Sequence, residues 1–186
     1  MALAAAALAL MAVAATLLVR LHLLPTGISP VREAISDYGT TPFHRNYRAM
    51  VVALGVGAIL LALALGRETD AGSLYWLWIF GVSRVAIAGF MTDRDPPPFT
   101  GEGRIHWLLA AVAFTSIAFA GSDIDWTGAP GALRPLGYAV VATAVATLVT
   151  RVAVPLRAVF GLAERALYVA FLAWLAIAAI DVISST

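Results

Sequence analysis

Six stretches of about 17 residues or more, at residues 3–24, 49–65, 73–91, 105–121, 136–154 and 158–183, contain few or no charged side chains. A helix rises 1.5 Å per residue, so roughly 20 apolar residues cross about 30 Å of hydrocarbon. No soluble fold needs such runs repeatedly, and transmembrane barrels alternate polar and apolar residues where these runs are continuous. The reading is an all-α, multi-pass membrane protein: one domain over residues 1–186, built as a six-helix transmembrane bundle. Composition agrees, with 61% hydrophobic and 12% charged residues in 186 and a mean hydropathy of +0.89. A soluble domain carries about a quarter charged residues.

The breaks between runs carry the residues that end helices: Pro25 and Pro30, "RETDAG", "DRDPPPFTGEG", "GSDIDWTGAPGALRP" and Pro155. Tyr75, Trp76 and Trp78 suit the headgroup level at a helix end. The first run lacks a basic segment before it and is long enough to span, so it reads as a membrane helix rather than a signal peptide. The absence of cysteine excludes disulfides and thiolate chemistry. All twelve basic residues are arginine, which excludes a Schiff-base lysine and fits a GC-rich bacterial genome. A net charge of +1 implies no nucleic-acid partner.

Six spans divide the connections between two faces. One face holds Arg20, Arg32, Arg45, Arg48, Arg94, Arg104, Arg151, Arg157 and Arg165, and the other holds Arg67 and Arg134. The positive-inside rule places the arginine-rich face in the cytoplasm and both termini outside, with the chain in the inner (plasma) membrane. Arginines that serve a binding site would fall outside that statistic.

The same face gathers Glu33, Asp37, Asp93, Asp95, Glu102, Glu164, His22, His44 and His106. The segment "ISDYGTTPFHRNYRAM" at residues 35–50 supplies Ser36, Asp37, His44 and Arg45 to this layer. Glu68, Asp70, Asp123 and Asp125 on the opposite face read as solvated turn charges. Arg84, near the middle of the third run, costs at least about 2.5 kcal/mol to insert and must face the interior. Its expected counter-ion is Glu164, with Asp37 as the alternative, and Arg84, Ala88, Met91 and Asp95 fall on one helical stripe. Asp93 and Asp95 either end that helix before the prolines or, with Glu102 and a histidine, offer hard ligands to a divalent cation. Their spacing matches no metal motif, and no metal or cofactor is assigned. Three histidines on one face could complete a zinc site, whereas a histidine at a helix end more often makes an interfacial hydrogen bond. Haem transfer would need axial histidines at two depths, which are absent. Ser36 beside Asp37 could be a nucleophile or a turn cap. Gly55, Gly57, Gly81 and Gly89 mark close helix approach.

"ISDYGTTP", "GFMTDRD", "FTGEGRIHWLLAAVAF" and "GLAERALY", in this order at successive helix ends, resemble the prokaryotic membrane family known as domain of unknown function 998. The resemblance covers essentially the whole chain, and "ISDYGTTP" is also similar to the first loop of DRAM and Frag-type membrane proteins. It implies a six-helix bundle with motif residues Ser36, Asp37, Asp93, His106, Glu164 and Arg165, and no agreed activity. Alkaline-ceramidase-like hydrolases are a more distant comparison, because here only His106 sits at a comparable position of their three histidines.

Three functions fit this inventory. The first is binding or transport of a lipid headgroup or small anionic amphiphile, with Ser36, Asp37, His44, Arg45, Arg84, Asp93, His106, Glu164 and Arg165 as ligand-binding candidates. The second is a lipid-modifying enzyme, such as a metal-dependent hydrolase, using His106, Asp37 and Asp93. The third is an accessory subunit that forms homo- or hetero-oligomers through small-residue helix faces. Membrane lipids are the expected partners.

Overall fold

The computed structural model describes residues 1–66, 71–94, 100–123 and 131–185. Arg67, Glu68, Asp70, Asp95, the three prolines after it and Asp125 lie outside the described residues.

The described residues are all-α. Helix α1 spans Ala2–Leu23, α2 His44–Leu65, α3 Ala71–Ile87, α4 Gly101–Ser122, α5 Leu133–Val152 and α6 Phe160–Ser184. Short 3-10 helices occupy Ile35–Thr40 and Val154–Val159. Five segments are long and apolar enough to cross a membrane: Ala2–Leu23, His44–Leu65, Gly101–Ser122, Leu133–Val152 and Val154–Ser184. Helix α3 is shorter, with its apolar part at Leu74–Ile87.

Each helix packs on the next in the chain, and α6 returns against α1, so the helices close a ring. Trp174, Phe171 and Tyr168 of α6 and Phe80 of α3 are fully buried in the core. The Phe80 and Phe171 rings meet edge to face at 5.5 Å, a geometry that adds to the burial of two large apolar side chains. Helices α2 and α3 touch through Gly55 and Gly81. A Cβ added at Gly55 would lie 2.6 Å from the Gly81 carbonyl oxygen, so the close approach expected of this pair is present. The α4–α5 seam is looser than the other sequential pairs.

Two of the helix boundaries that differ from the reading of the sequence matter for the site. Helix α3 ends at Ile87 rather than Met91. Residues 88–90 close with tight bonds, Ala88 N–H to Val85 O at 3.2 Å and Phe90 N–H to Ile87 O at 3.2 Å. Ala88 and Met91 therefore do not extend the stripe of Arg84, and Arg84 sits in the last helical turn, where the helix dipole favours a cation. Helix α2 begins at His44, so His44 and Arg45 belong to its first turn rather than to a loop.

Candidate functional site

The connection at residues 24–43 is folded against the bundle. Leu162 N–H donates to Val31 O at 3.1 Å, and Gly161 allows the approach: a Cβ there would strike the Glu33 carbonyl oxygen and lie 2.8 Å from that of Pro30. Arg165, one turn further along α6, holds the arrangement. Its Nη1 donates to Glu33 O and Gly161 O, both at 2.9 Å, and Nη2 donates to the Tyr38 hydroxyl at 3.3 Å. Its Nε donates to His22 Nε2 at 2.7 Å. The other His22 nitrogen, Nδ1, faces the Leu18 carbonyl at 2.7 Å. A carbonyl only accepts, so Nδ1 carries the proton and Nε2 is free to accept from Arg165. Arg165 thus uses its planar fork to tie α1, α6 and the 24–43 connection together.

The first 3-10 helix is capped by its own aspartate. Ala34 N–H donates to Asp37 Oδ2 at 2.8 Å, and Asp37 N–H donates to Ala34 O at 3.1 Å. Glu164, 4% exposed, accepts from Ile35 N–H at 2.6 Å, a bond that fixes this segment over the start of α6.

Asp93 closes the exit of α3. Its carboxylate accepts from Thr100 N–H at 2.6 Å and from the Thr100 hydroxyl at 3.0 Å, while that hydroxyl accepts from Gly103 N–H at 3.0 Å. Thr100 is therefore both N-cap of α4 and ligand of Asp93, satisfying donors that a helix start leaves open. Gly103 is needed because the Asp93 carboxylate occupies the space a Cβ would take. Next to it, Arg94 Nη2 meets Glu33 Oε1 at 2.5 Å. Burial pushes the Glu33 carboxyl up, but the Ser29 N–H and Arg94 outweigh it and hold the group below its ordinary value of 4.5.

Above these clasps lies a cavity of about 510 Å³, within the usual range for a ligand site. Its polar end is formed by Arg32, Glu33, Ser36, Asp37, Asp93, Arg94, His106, Arg151 and Glu164. From there it follows one stripe of α4, including Trp107, Ala110, Ala111, Phe114, Thr115 and Ala118. A facing stripe of α5 carries Val141, Ala144, Val145 and Leu148. Both stripes recur at helical spacing, so the two helices turn their facing sides to the cavity instead of to each other.

Polar groups without protein partners gather at the polar end. His106 is 3% exposed, and its Nδ1 lies 2.9 Å from Phe90 O. By the same logic as for His22, Nδ1 donates, leaving Nε2 buried and without a hydrogen-bond partner. The Arg32 guanidinium and Ser36 hydroxyl have no hydrogen-bond or ion-pair partner among the described residues. The carboxylates beside them differ: Glu33, Asp37, Asp93 and Glu164 each accept from a backbone N–H.

Arg84 is 1% exposed and lies behind the cavity wall. It does not form the expected ion pair with Glu164 or Asp37. Nη2 donates to the Tyr168 hydroxyl, and Cζ stands 5.0 Å from the Tyr168 ring centroid and 5.8 Å from that of Phe114. Aromatic faces take the place of a carboxylate. Its Nε has no hydrogen-bond partner.

The structure thus brings Ser36, Asp37, Asp93, His106 and Glu164 to one cavity. Arg84 lies behind its wall, and Arg165 fixes the 24–43 connection beside it. His44 and Arg45 do not line it: His44 Nδ1 faces Thr41 O at 3.3 Å, and Arg45 is exposed. Among the described residues, no three of His, Asp and Glu converge to hold a metal ion. Sequence reasoning did not single out Tyr168, which holds Arg84, or Thr100, which holds Asp93. Tyr168 had a signal, since it stands one turn after Glu164 on α6 and shares its face.

No curated protein and no solved structure matches this chain. The family model described as protein of unknown function DUF998 matches residues 3–181. With that match spanning almost the full length, the chain belongs to the DUF998 family.

Proposed function

We propose that this multi-pass membrane protein binds, and through that binding transports or presents, an amphiphile with an anionic head. The observation that carries the reading is the cavity: apolar along α4 and α5, with the exposed Arg32, the half-buried Ser36 and the unpartnered His106 Nε2 at its polar end. Its acidic groups already accept internal hydrogen bonds, whereas Arg32 is available, so charge complementarity favours an anion. In this reading α3 is the sixth crossing of a single six-span unit. The arginine-rich face lies in the cytoplasm of a bacterial plasma membrane, and membrane lipids are the partners. No catalytic apparatus is required.

Native mass spectrometry of the protein released from nanodiscs tests this. An anionic amphiphile should be retained by the wild type and lost by more than tenfold in Arg32→Ala. Equal retention by both would refute the reading.

A second reading, a lipid-modifying enzyme, rests on His106 alone. An imidazole oriented through Nδ1 with an unpaired Nε2 has the form of a general base. Turnover of a bound lipid that disappears in His106→Asn would favour it over binding alone.

A further inference from the structure

We infer that the head of the occupant carries a hydroxyl as well as its anionic group, and that this hydroxyl donates to His106 Nε2. This rests on the binding reading above and adds the chemistry by which the cavity chooses among anionic amphiphiles.

The ring fixes what it needs. Nδ1–H donates to Phe90 O at 2.9 Å, and a second proton would place a cation on a side chain that is 3% exposed. Among the described residues no carboxylate forms an ion pair with that ring, so it stays neutral and Nε2 is an acceptor. No protein group donates to it. A buried acceptor left unmet carries the full cost of its desolvation, and relief must come from something that enters the cavity.

Placement puts this nitrogen at the cavity. On α4, Gly103, His106, Trp107 and Ala110 share the lining stripe, so His106 belongs to the wall itself. Nδ1 is turned to Phe90, which is not part of the lining. The two ring nitrogens diverge, so Nε2 points away from Phe90.

An ionised phosphate or carboxylate cannot satisfy Nε2, because its oxygens only accept. The anion belongs with the exposed Arg32, and a donor on the same head belongs with His106. An ammonium would supply the proton but cancel the charge of the head and bring another ion into a buried site, whereas a hydroxyl supplies it neutral. Water can meet Nε2 before a head arrives. A head that displaces this water without a donor of its own loses the bond, so heads lacking a hydroxyl bind less well.

The test compares two phosphodiester lipids of equal charge, phosphatidylglycerol and phosphatidylpropanol, which differ only in the head hydroxyls. Both are incorporated with the full-length protein into phosphatidylcholine nanodiscs, as equimolar minor components with acyl chains of different mass. Native mass spectrometry reads the lipid retained. Wild type should retain phosphatidylglycerol about tenfold or more over phosphatidylpropanol. His106→Asn should bring that ratio close to one, and Arg32→Ala should weaken both lipids while keeping the ratio. By nitrogen NMR of isotope-labelled histidine, phosphatidylglycerol should shift the His106 Nε2 resonance of a ring that remains neutral, and phosphatidylpropanol should not. The resonance is assigned through the backbone, so this readout needs no variant.

Equal retention of the two lipids by wild type, with both lost in Arg32→Ala, would overturn this inference and leave the anion-binding reading intact. Retention of neither above phosphatidylcholine would overturn both. A ring that becomes imidazolium on binding phosphatidylglycerol, or a preference that survives in His106→Asn, would overturn the placement of the hydroxyl at Nε2.

Discussion

His106 Nδ1–H donates to the carbonyl of Phe90 at 2.9 Å, and that bond leaves Nε2 as the unpaired atom of a buried ring on the cavity wall. The carbonyl is available because α3 stops at Ile87 and the chain turns tightly through Phe90. Helix termination, ring orientation and the free nitrogen are thus one connected arrangement.

Two substitutions separate the roles of the ring nitrogens. His106→Asn keeps a donor for Phe90 and removes Nε2, so thermal stability should change by less than about 1 kcal/mol while amphiphile retention falls at least tenfold. His106→Leu also strands the Phe90 carbonyl and should cost about 1–3 kcal/mol of stability. Thermal unfolding in detergent and native mass spectrometry read the two effects.

Arg165→Lys should behave as a severe substitution despite preserving charge. Lysine cannot reproduce a fork that reaches His22, Tyr38, Glu33 and Gly161 together. A loss of about 2–4 kcal/mol is expected. Hydrogen exchange should rise first in residues 31–38, and unchanged protection there would contradict the clip.

Thr100, Asp93 and Gly103 form a second clasp. Gly103→Ala should destabilise by about 1–3 kcal/mol, because the new methyl meets the Asp93 carboxylate. Asp93→Ala should lose the Thr100 bonds and yet tolerate the added methyl. A double-mutant cycle should give a coupling above about 0.5 kcal/mol, and additive effects would show that the two residues do not share this space.

The Arg94–Glu33 pair sets a pH dependence at the cavity mouth. The Glu33 carboxyl is held below its ordinary value of 4.5. Its contribution is therefore complete above that pH and is lost as pH falls through the lowered folded value. Protection of residues 29–34 from exchange should drop as pH falls below 4.5, and Glu33→Gln should remove that drop. High salt should weaken the pair at neutral pH, since both side chains are partly exposed.

How much of this the sequence disclosed follows from what each feature depends on. Long apolar runs identify spans by length and composition, and five long segments appear where such runs occur. The gathering of Ser36, Asp37, Asp93, His106 and Glu164 was legible because alternate connections of a multi-pass chain share a face. The partner of Arg84 was not. A carboxylate is the generic expectation for a membrane arginine, but Tyr168 stands one turn from Glu164 and supplies both a hydroxyl and a ring face. Arg165 read as a ligand contact because charge alone does not reveal whether a guanidinium faces a cavity or four protein acceptors. The α4–α5 groove was least visible, since it depends on how two helices pack and both carry ordinary apolar stripes.

The central claim is an anionic head at Arg32, Ser36 and His106 in the polar end of the cavity. The most direct measurement is a high-resolution structure of the protein in nanodiscs made from native lipid. The account predicts density for a head group within hydrogen-bonding distance of His106 Nε2 and the Ser36 hydroxyl, continuing as apolar density between α4 and α5. A polar end filled only by water, or a seam closed by a helix of another polypeptide, would contradict it.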